Sequence, residues 1–241
     1  MEESLANRKK AAANSGSNMK VFYAIIAVVA VVGVGAIFYA ARSGGGGMAT
    51  EPLEFSAEDA GALLERARGV SVGNDDAPVQ MIVFSDYMCP ACAHWAGRIE
   101  QMLKAEFVET GRVHYTYYDY PLGGSFVHTF VAARAARCAG DQGRFWEYHD
   151  RLLGTQSAWM YSNSTPVNQF LQMGRDLNLD MQTFESCVRS DQHAEVVTAN
   201  RLLGETLGVR GTPTIFINGR QLAEWSDYDA VRAAVQAAGG A

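Results

Sequence analysis

The chain has 241 residues, of which 48% are hydrophobic, enough for one domain of about 150–200 residues and an appendage. Residues 1–47 hold five Lys/Arg and two Asp/Glu, which leaves 15 basic and 24 acidic residues for 48–241. This acidic balance argues against nucleic acid as a partner of the larger segment.

An uncharged stretch of 21 residues runs from Val21 to Ala41. About 20 such residues cross a bilayer core, whereas signal-peptide cores hold about 7–15, so an uncleaved anchor is favoured over a removed signal. Four basic residues precede the stretch and only Arg42 follows closely, which keeps the N-terminus in the cytoplasm. We therefore predict a cytoplasmic tail over 1–20, a transmembrane anchor over 21–41, a flexible linker over 42–50 and an extracytoplasmic domain over 51–241.

The extracytoplasmic domain begins with a short helix predicted over 57–68 and a small strand over 69–73. Turn-forming residues at 74–78 precede a mostly apolar strand over 79–84, of the kind that is buried on both faces. The strand leads into the sequence Cys-Pro-Ala-Cys at 89–92. Apolar residues then recur at helical spacing, which predicts a helix from near Pro90 to near Gly111.

The second half of the domain is mostly helical. An alternating, aromatic-rich strand is predicted over 112–120. Helices follow from about 125 to 207, with breaks predicted at 140–141, 154–155, 165–166 and 178–180. A strand over 214–217 then meets Asn218-Gly219, which is a two-residue hairpin signal, and a final helix covers 226–238. This order predicts a mixed α/β sheet carrying helices, with a helical insertion of about 80 residues.

The two cysteines at 89 and 92, with a histidine close behind, suit three chemistries. Covalent haem attachment needs the histidine directly after the second cysteine, but Ala93 stands there and His94 follows. A structural zinc site needs four ligands, and the two remaining cysteines are single and far apart. A zinc or copper site on the two thiols and a histidine stays open as an alternative.

The third chemistry, thiol-disulfide exchange, agrees best with the strand-to-helix junction. Cys89 lies at the predicted helix N-terminus, where free N–H groups and the helix dipole stabilise a thiolate. Such sites lower a thiol pKa from about 8.5 to about 3.5–7.5. Cys92, one turn into the helix, is placed to attack a mixed disulfide. We predict Cys89 as nucleophile and Cys92 as resolving thiol, with no cofactor beyond their redox-active disulfide.

Three segments resemble the DsbA-like thiol-disulfide oxidoreductases: FSDYMCPAC at 84–92, GRFWEYH at 143–149 and VRGTPT at 209–214. The resemblance covers about residues 70–238. It implies a thioredoxin-like fold with an inserted α-helical domain at about 125–207. It also implies that Pro213 is cis and lies against the dithiol, with Thr212 offering backbone groups to an incoming peptide.

Further residues near the dithiol are candidate modulators. The dipeptide Pro90-Ala91 departs from the Pro-His of the best-known family members, and Ala91 cannot hold a thiolate as a histidine would. His94 can substitute only if its side chain turns back toward Cys89. Asp86 is either a modulator that relays a proton or an aspartate that caps a turn.

Cys138 and Cys187 both fall in the predicted helical insertion. We predict a structural disulfide closing a loop of about 50 residues, worth about 4 kcal/mol in the chain-entropy model. The competing hypothesis is a second redox pair that passes electrons to the first. Neither cysteine sits in a Cys-x-x-Cys sequence, which favours the structural role.

Together these features predict a monomeric, membrane-tethered oxidoreductase on the periplasmic or cell-envelope face of the cytoplasmic membrane, donating disulfides to exported polypeptides. The resemblance implies reoxidation by a membrane quinone-linked partner of the DsbB or vitamin-K-epoxide-reductase type. The alternatives are a reductase or isomerase, a thiol-based metal-binding module and a non-catalytic anchored interaction domain. An isomerase usually needs dimerisation, and the roughly 20 residues between linker and fold are too few for a dimerisation domain.

Overall fold

The computed structural model describes residues 48–53 and 60–239. The predicted cytoplasmic tail, the transmembrane anchor over 21–41 and most of the linker lie outside these residues. Within the two described ranges, no helix is long and apolar enough to cross a membrane.

A mixed five-stranded sheet, in the order β1-β3-β2-β4-β5, forms the centre of the domain. Its strands are β1 (Val70–Val72), β2 (Val79–Ser85), β3 (Val113–Asp119), β4 (Thr214–Ile217) and β5 (Arg220–Gln221). β2 and β3 are parallel, whereas every other neighbouring pair is antiparallel. Phe84 lies opposite Thr214, so the end of β2 and the start of β4 meet at one edge of the sheet.

Helices follow and surround these strands. They are α1 (Ala60–Arg66), α2 (Pro90–His94), α3 (Gln101–Leu103), α4 (Thr129–Gly140), α5 (Phe145–Gly154), α6 (Gln156–Trp159), α7 (Val167–Asp176), α8 (Met181–Val188), α9 (Ala194–Thr206) and α10 (Tyr228–Ala237). The π-helical segments Trp95–Glu100 and Lys104–Val108 join α2 and α3 into one helix, called here the dithiol helix.

The predicted helical insertion corresponds to α4 through α9, which lie between β3 and β4. The four predicted breaks, at 140–141, 154–155, 165–166 and 178–180, each separate two of these helices. A further break at 189–193 separates α8 from α9 and was not predicted, because it contains neither Gly nor Pro.

The central strand β2 is buried unevenly. Val79, Met81 and Val83 are fully buried, while Gln80 is exposed and Ile82 is half buried. The prediction of a strand buried on both faces is therefore wrong for its first half. On the face of the strand that carries Gln80, Ile82 and Phe84, α1 and α9 cover only the region around Phe84.

Buried polar contacts attach the insertion to the sheet. The Arg137 guanidinium on α4 donates to Asp119 at the end of β3, at 2.6 Å, and to the carbonyl of Arg68 at 2.8 Å. Asn200 on α9 donates to the same Asp119 carboxylate at 3.1 Å. Because Asp119 is fully buried, these donors replace the water it loses on folding. The contacts hold α4 and α9 in a fixed position beside the strand ends.

Candidate active site

The dithiol lies where β2 gives way to the dithiol helix. Cys89 is the N-cap residue, with extended backbone angles (φ −77°, ψ 120°), and Pro90 occupies the first turn, where its missing N–H costs nothing. Cys89 is 7% exposed and Cys92 is fully buried, and neither is disulfide-bonded in this structure. Only Cys89 can therefore be reached by a second protein.

The loop before β4 lies against Cys89. The Thr212-Pro213 peptide bond is cis, as the family resemblance implies. In its protonated form the Cys89 thiol donates to the Thr212 carbonyl at 3.3 Å, although 123 residues separate them along the chain. The antiparallel pairing of β2 with β4 produces this contact, because it places both strand ends at one edge.

The two thiols have opposite pKa shifts. A hydrogen bond from the Cys92 thiol is the largest influence on Cys89 and lowers its pKa to about 6, against the opposing effect of partial burial. The Thr212 side chain and the backbone N–H groups of Cys92 and Ala91 also lower this pKa. Burial raises the pKa of Cys92 well above its ordinary value, and Cys89 raises it further. At neutral pH Cys89 is the thiolate and Cys92 the thiol.

Asp86 fixes the loop between β2 and the dithiol helix. Its carboxylate accepts hydrogen bonds from Met88 N at 2.6 Å, Thr129 Oγ1 at 2.6 Å and Leu122 N at 2.7 Å. These are the contacts of a turn-capping aspartate that also holds the start of the insertion. Burial outweighs these hydrogen bonds and raises the pKa of Asp86 to about 6.

The remaining predicted modulators differ in position. Ala91 is half buried and packs against the hydrophobic core. His94 is exposed and lines a surface groove of about 400 Å³ with Arg98, Met102 and residues 226–229. Among the described residues, no hydrogen bond connects His94 to Cys89. The structure does not bring His94 to the dithiol, because its position on the helix directs it toward α10.

Gln156 is a site residue that the sequence did not suggest. Its side-chain amide donates to the carbonyls of Tyr87 at 2.8 Å and Cys89 at 3.0 Å, and its side chain is buried. It satisfies two carbonyls of the dithiol loop from a helix nearly 70 residues away. No local sequence pattern could have indicated this contact.

A buried ionic cluster lies behind Tyr87. The Tyr87 hydroxyl is 3.1 Å from His149 Nδ1, and His149 Nε2 is 3.6 Å from Glu100, whose other oxygen is 2.5 Å from Lys104 Nζ. Burial alone would raise the pKa of Glu100, but the charges of His149 and Lys104 outweigh it and lower the pKa to about 2. Glu100, His149 and Asp150 are close enough to hold a metal ion, but the Lys104 ammonium already neutralises Glu100.

The other two cysteines form the predicted bond. Cys138 on α4 and Cys187 on α8 are joined in a disulfide, with a Cα–Cα distance of 5.8 Å. Both are buried, and the bond joins two neighbouring helices of the insertion. Asp141 and His193 lie beside it and were not predicted as neighbours.

Comparison with known proteins gives matches over this domain. A family model described as Thioredoxin matches residues 65–237. The chain is 29% identical over 166 residues to the probable disulfide bond formation protein D of Bacillus anthracis, covering 68% of this chain and 76% of that protein. It is 34% identical over 167 residues to the Na(+)/H(+) antiporter NhaA 1 of Salinispora arenicola. That match covers 69% of this chain but only 24% of the antiporter.

Solved structures give the same architecture. The oxidised crystal structure of BdbD from Bacillus subtilis superposes with a TM-score of 0.64 at 19% identity, covering 80% of this chain and 97% of that one. At this identity the likeness concerns the fold. It confirms the thioredoxin-like α/β fold with a helical insertion.

Proposed function

Because this chain belongs to the thioredoxin family and is a DsbA-like thiol-disulfide oxidoreductase, we propose that it donates disulfides to polypeptides exported across the cytoplasmic membrane. The observation that supports this direction is the difference in pKa between the Cys89 and Cys92 thiols. A Cys89 thiolate stabilised to a pKa of about 6 is a good leaving group, and its stability favours the reduced form of the pair.

The exchange proceeds in two steps. A substrate thiolate attacks Cys89 Sγ of the oxidised pair, which breaks the Cys89–Cys92 bond and releases Cys92, whose raised pKa makes it take up a proton. A second substrate thiolate then attacks the substrate sulfur of the mixed disulfide, and Cys89 leaves as the stabilised thiolate. Two electrons pass from the substrate to the pair. The peptide backbone next to the substrate cysteine pairs with the backbone of the half-buried Thr212.

The proposal includes a location and a partner. The segment 21–41 anchors a monomer to the cytoplasmic membrane, with the dithiol domain on its outer face, and a quinone-linked membrane protein of the DsbB or vitamin-K-epoxide-reductase type reoxidises the pair. What supports this part is the apolar length of the segment, the basic residues before it and the name of the Bacillus relative.

The decisive experiment is equilibration of the full chain with a glutathione redox series. Free thiols are alkylated, and mass spectrometry of the peptide containing Cys89 and Cys92 gives the oxidised fraction. A disulfide donor gives a potential near about −120 mV, whereas a value near about −270 mV indicates a reductase and contradicts the proposal. Cys89→Ser is the control that removes exchange; Ser164→Ala, an exposed change between α6 and α7, is the matched neutral variant.

A second measurement separates the enzyme from a metal-binding module. The purified reduced chain is tested for oxidation of a peptide dithiol and for metal content. Exchange that is lost in Cys89→Ser identifies an oxidoreductase. Stoichiometric zinc or copper on the Cys89–Cys92 pair, without exchange, would overturn it.

A further inference from the structure

The surroundings of the second disulfide contain an unusual set of side chains. His193, the N-cap residue of α9, has its Nε2 atom 2.8 Å from Asp141 Oδ2. The same carboxylate oxygen is 3.8 Å from Cys187 Sγ. The ligand atoms of Cys138, Cys187 and His193 all lie within 4.8 Å of one another. Two sulfurs and one imidazole therefore lie close together, and the Asp141 carboxylate lies beside two of these three groups.

This donor set is the one that zinc prefers. Zinc sites in proteins are tetrahedral, with bonds of about 2.3 Å to sulfur and about 2.0–2.2 Å to imidazole or carboxylate. Ligand atoms around one ion must then lie about 3.3–3.8 Å apart. The distance from Asp141 Oδ2 to Cys187 Sγ, 3.8 Å, lies in this range, and the distance from Asp141 Oδ2 to His193 Nε2, 2.8 Å, lies below it. The ligand atoms of Cys138, Cys187 and His193 lie within 4.8 Å of one another, with the two sulfurs joined by a covalent bond. Binding of an ion requires that this bond open and that the contact between His193 and Asp141 lengthen.

An ion can reach this point from solvent. An open cavity of about 650 Å³ is lined by both cysteines, Asp141 and the exposed Gln192. Gln192 Nε2 donates to Asp141 at 2.9 Å, and this exposed amide can exchange that contact for water when the carboxylate binds an ion. None of the described residues that line this cavity is a lysine, so no ammonium group neutralises the Asp141 carboxylate from within it as Lys104 neutralises Glu100.

We propose that Cys138, Cys187, His193 and Asp141 form a zinc-binding site when the Cys138–Cys187 disulfide is reduced. A dithiol reductant supplies two electrons and two protons, becomes a disulfide itself, and leaves two cysteine thiols. Zinc(II) then binds both as thiolates and releases the two protons. Reoxidation by a disulfide donor takes the two electrons back, reforms the bond and expels the ion. The site is independent of exchange at Cys89.

The test uses the full chain carrying Cys89→Ala and Cys92→Ala, which removes the other pair of thiols. The disulfide is reduced with a phosphine, the excess is removed, and cobalt(II) is titrated as a spectroscopic probe. We expect one equivalent to bind, with thiolate-to-cobalt charge transfer and the visible bands of a tetrahedral site, and zinc(II) to displace it. The same chain with its disulfide intact gives none of these bands.

Single substitutions identify the ligands. His193→Ala and Asp141→Ala each weaken the reduced chain's affinity for cobalt by at least about tenfold, since even the loss of an outer contact has that effect. His94→Ala, which removes an exposed histidine elsewhere, leaves the affinity unchanged. Zinc also raises the thermal unfolding midpoint of the reduced chain and not of the oxidised chain, because an ion that binds only the folded state stabilises it.

Three results would overturn the proposal. They are the absence of stoichiometric binding after reduction, an affinity that His193→Ala leaves unchanged, and a reduced chain that zinc neither stabilises nor refolds. The last result covers the case in which reduction alone unfolds the protein.

Discussion

Thr212 acts on the dithiol through two different groups. Its carbonyl accepts from the Cys89 thiol, while its side chain lowers the pKa of both cysteines. The hydroxyl is buried and has no hydrogen-bond partner among the described residues. A buried hydroxyl without a partner is costly, so the thiolate of Cys89 is its natural acceptor.

Thr212→Val removes the hydroxyl and keeps the shape and the carbonyl. We expect the pKa of Cys89 to rise and the reaction of the reduced chain with an alkylating agent at pH 7 to slow by up to about tenfold. The pH dependence of the alkylation rate measures the change. Thr110→Val, in the turn that follows the C-terminal end of the dithiol helix, is the control. An unchanged profile would mean that the hydroxyl does not contact the thiolate.

Asp86 gives a pH dependence to stability. Its pKa of about 6 in the folded chain lies above its ordinary value of 3.8. The folded state therefore binds the proton more tightly than the unfolded state. The stabilisation is fully present below about pH 4 and is lost as the pH rises through about 6, a change of about 3 kcal/mol.

Asp86→Asn abolishes this dependence. As the pH rises from about 4 to about 7, we expect the unfolding free energy of the wild type to fall by about 3 kcal/mol relative to that of Asp86→Asn. Urea unfolding of the oxidised chain measures it, because Cys89 does not titrate there. Asp76→Asn, an exposed change, should leave the profile as it is. If the unfolding free energies of Asp86→Asn and of the wild type changed equally with pH, the pKa shift of Asp86 would be contradicted.

At the scale of elements, the Glu100 cluster joins the dithiol helix to α5. The Glu100 pKa of about 2 lies below the ordinary value of 4.5. The contribution of the ionised carboxylate to stability is therefore present above about pH 4.5 and is lost as the pH falls toward 2. Glu100→Gln leaves the Lys104 charge without its partner. We expect a loss of about 3 kcal/mol at pH 7 and a smaller loss at pH 3, measured by urea unfolding. Glu147→Gln, on the exposed side of α5, is the control; an equal loss at both pH values would exclude the ionic explanation.

The Cys138–Cys187 bond joins α4 to α8 across a sequence separation of 49 residues. The double variant Cys138→Ala/Cys187→Ala should lose about 4 kcal/mol of unfolding free energy. We also expect this bond to stay closed under glutathione conditions that open Cys89–Cys92, as read by mass spectrometry after alkylation. If both bonds open together, the structural role is wrong and the second redox pair is favoured.

The elements show why part of the site was predictable and part was not. Cys89 and Cys92 were predictable because a buried strand followed by Pro90 places them locally at a helix start. The cis conformation of the Thr212-Pro213 bond was predictable only from the family resemblance, because most X-Pro bonds in folded proteins are trans. Gln156 reaches the dithiol through the packing of the insertion, and no periodicity encodes packing between distant helices.

At the scale of the whole molecule, the tether can be tested by fractionation. We expect the full chain to sediment with membranes and to resist extraction by salt, while residues 48–241 exported behind a cleavable signal peptide stay in the soluble extracytoplasmic fraction. Val31→Lys/Val32→Lys places charge in the apolar segment and should release the full chain, at a cost of about 2.5–3.5 kcal/mol per lysine. A full-length gene product that is soluble and shortened would instead indicate a cleaved signal.

The pairing of β2 with β4 also determines the order in which the site is assembled. Strand β2 and Cys89 are synthesised more than a hundred residues before their partner Thr212. Contacts between such distant segments form late in folding, after a long loop has closed. Until then the sheet edge that receives β4 is unpaired and Cys89 lacks the Thr212 contact. A truncated or newly emerging chain therefore lacks the contribution of Thr212 to the Cys89 thiolate, and the pair gains its full reactivity only when the protein is nearly complete.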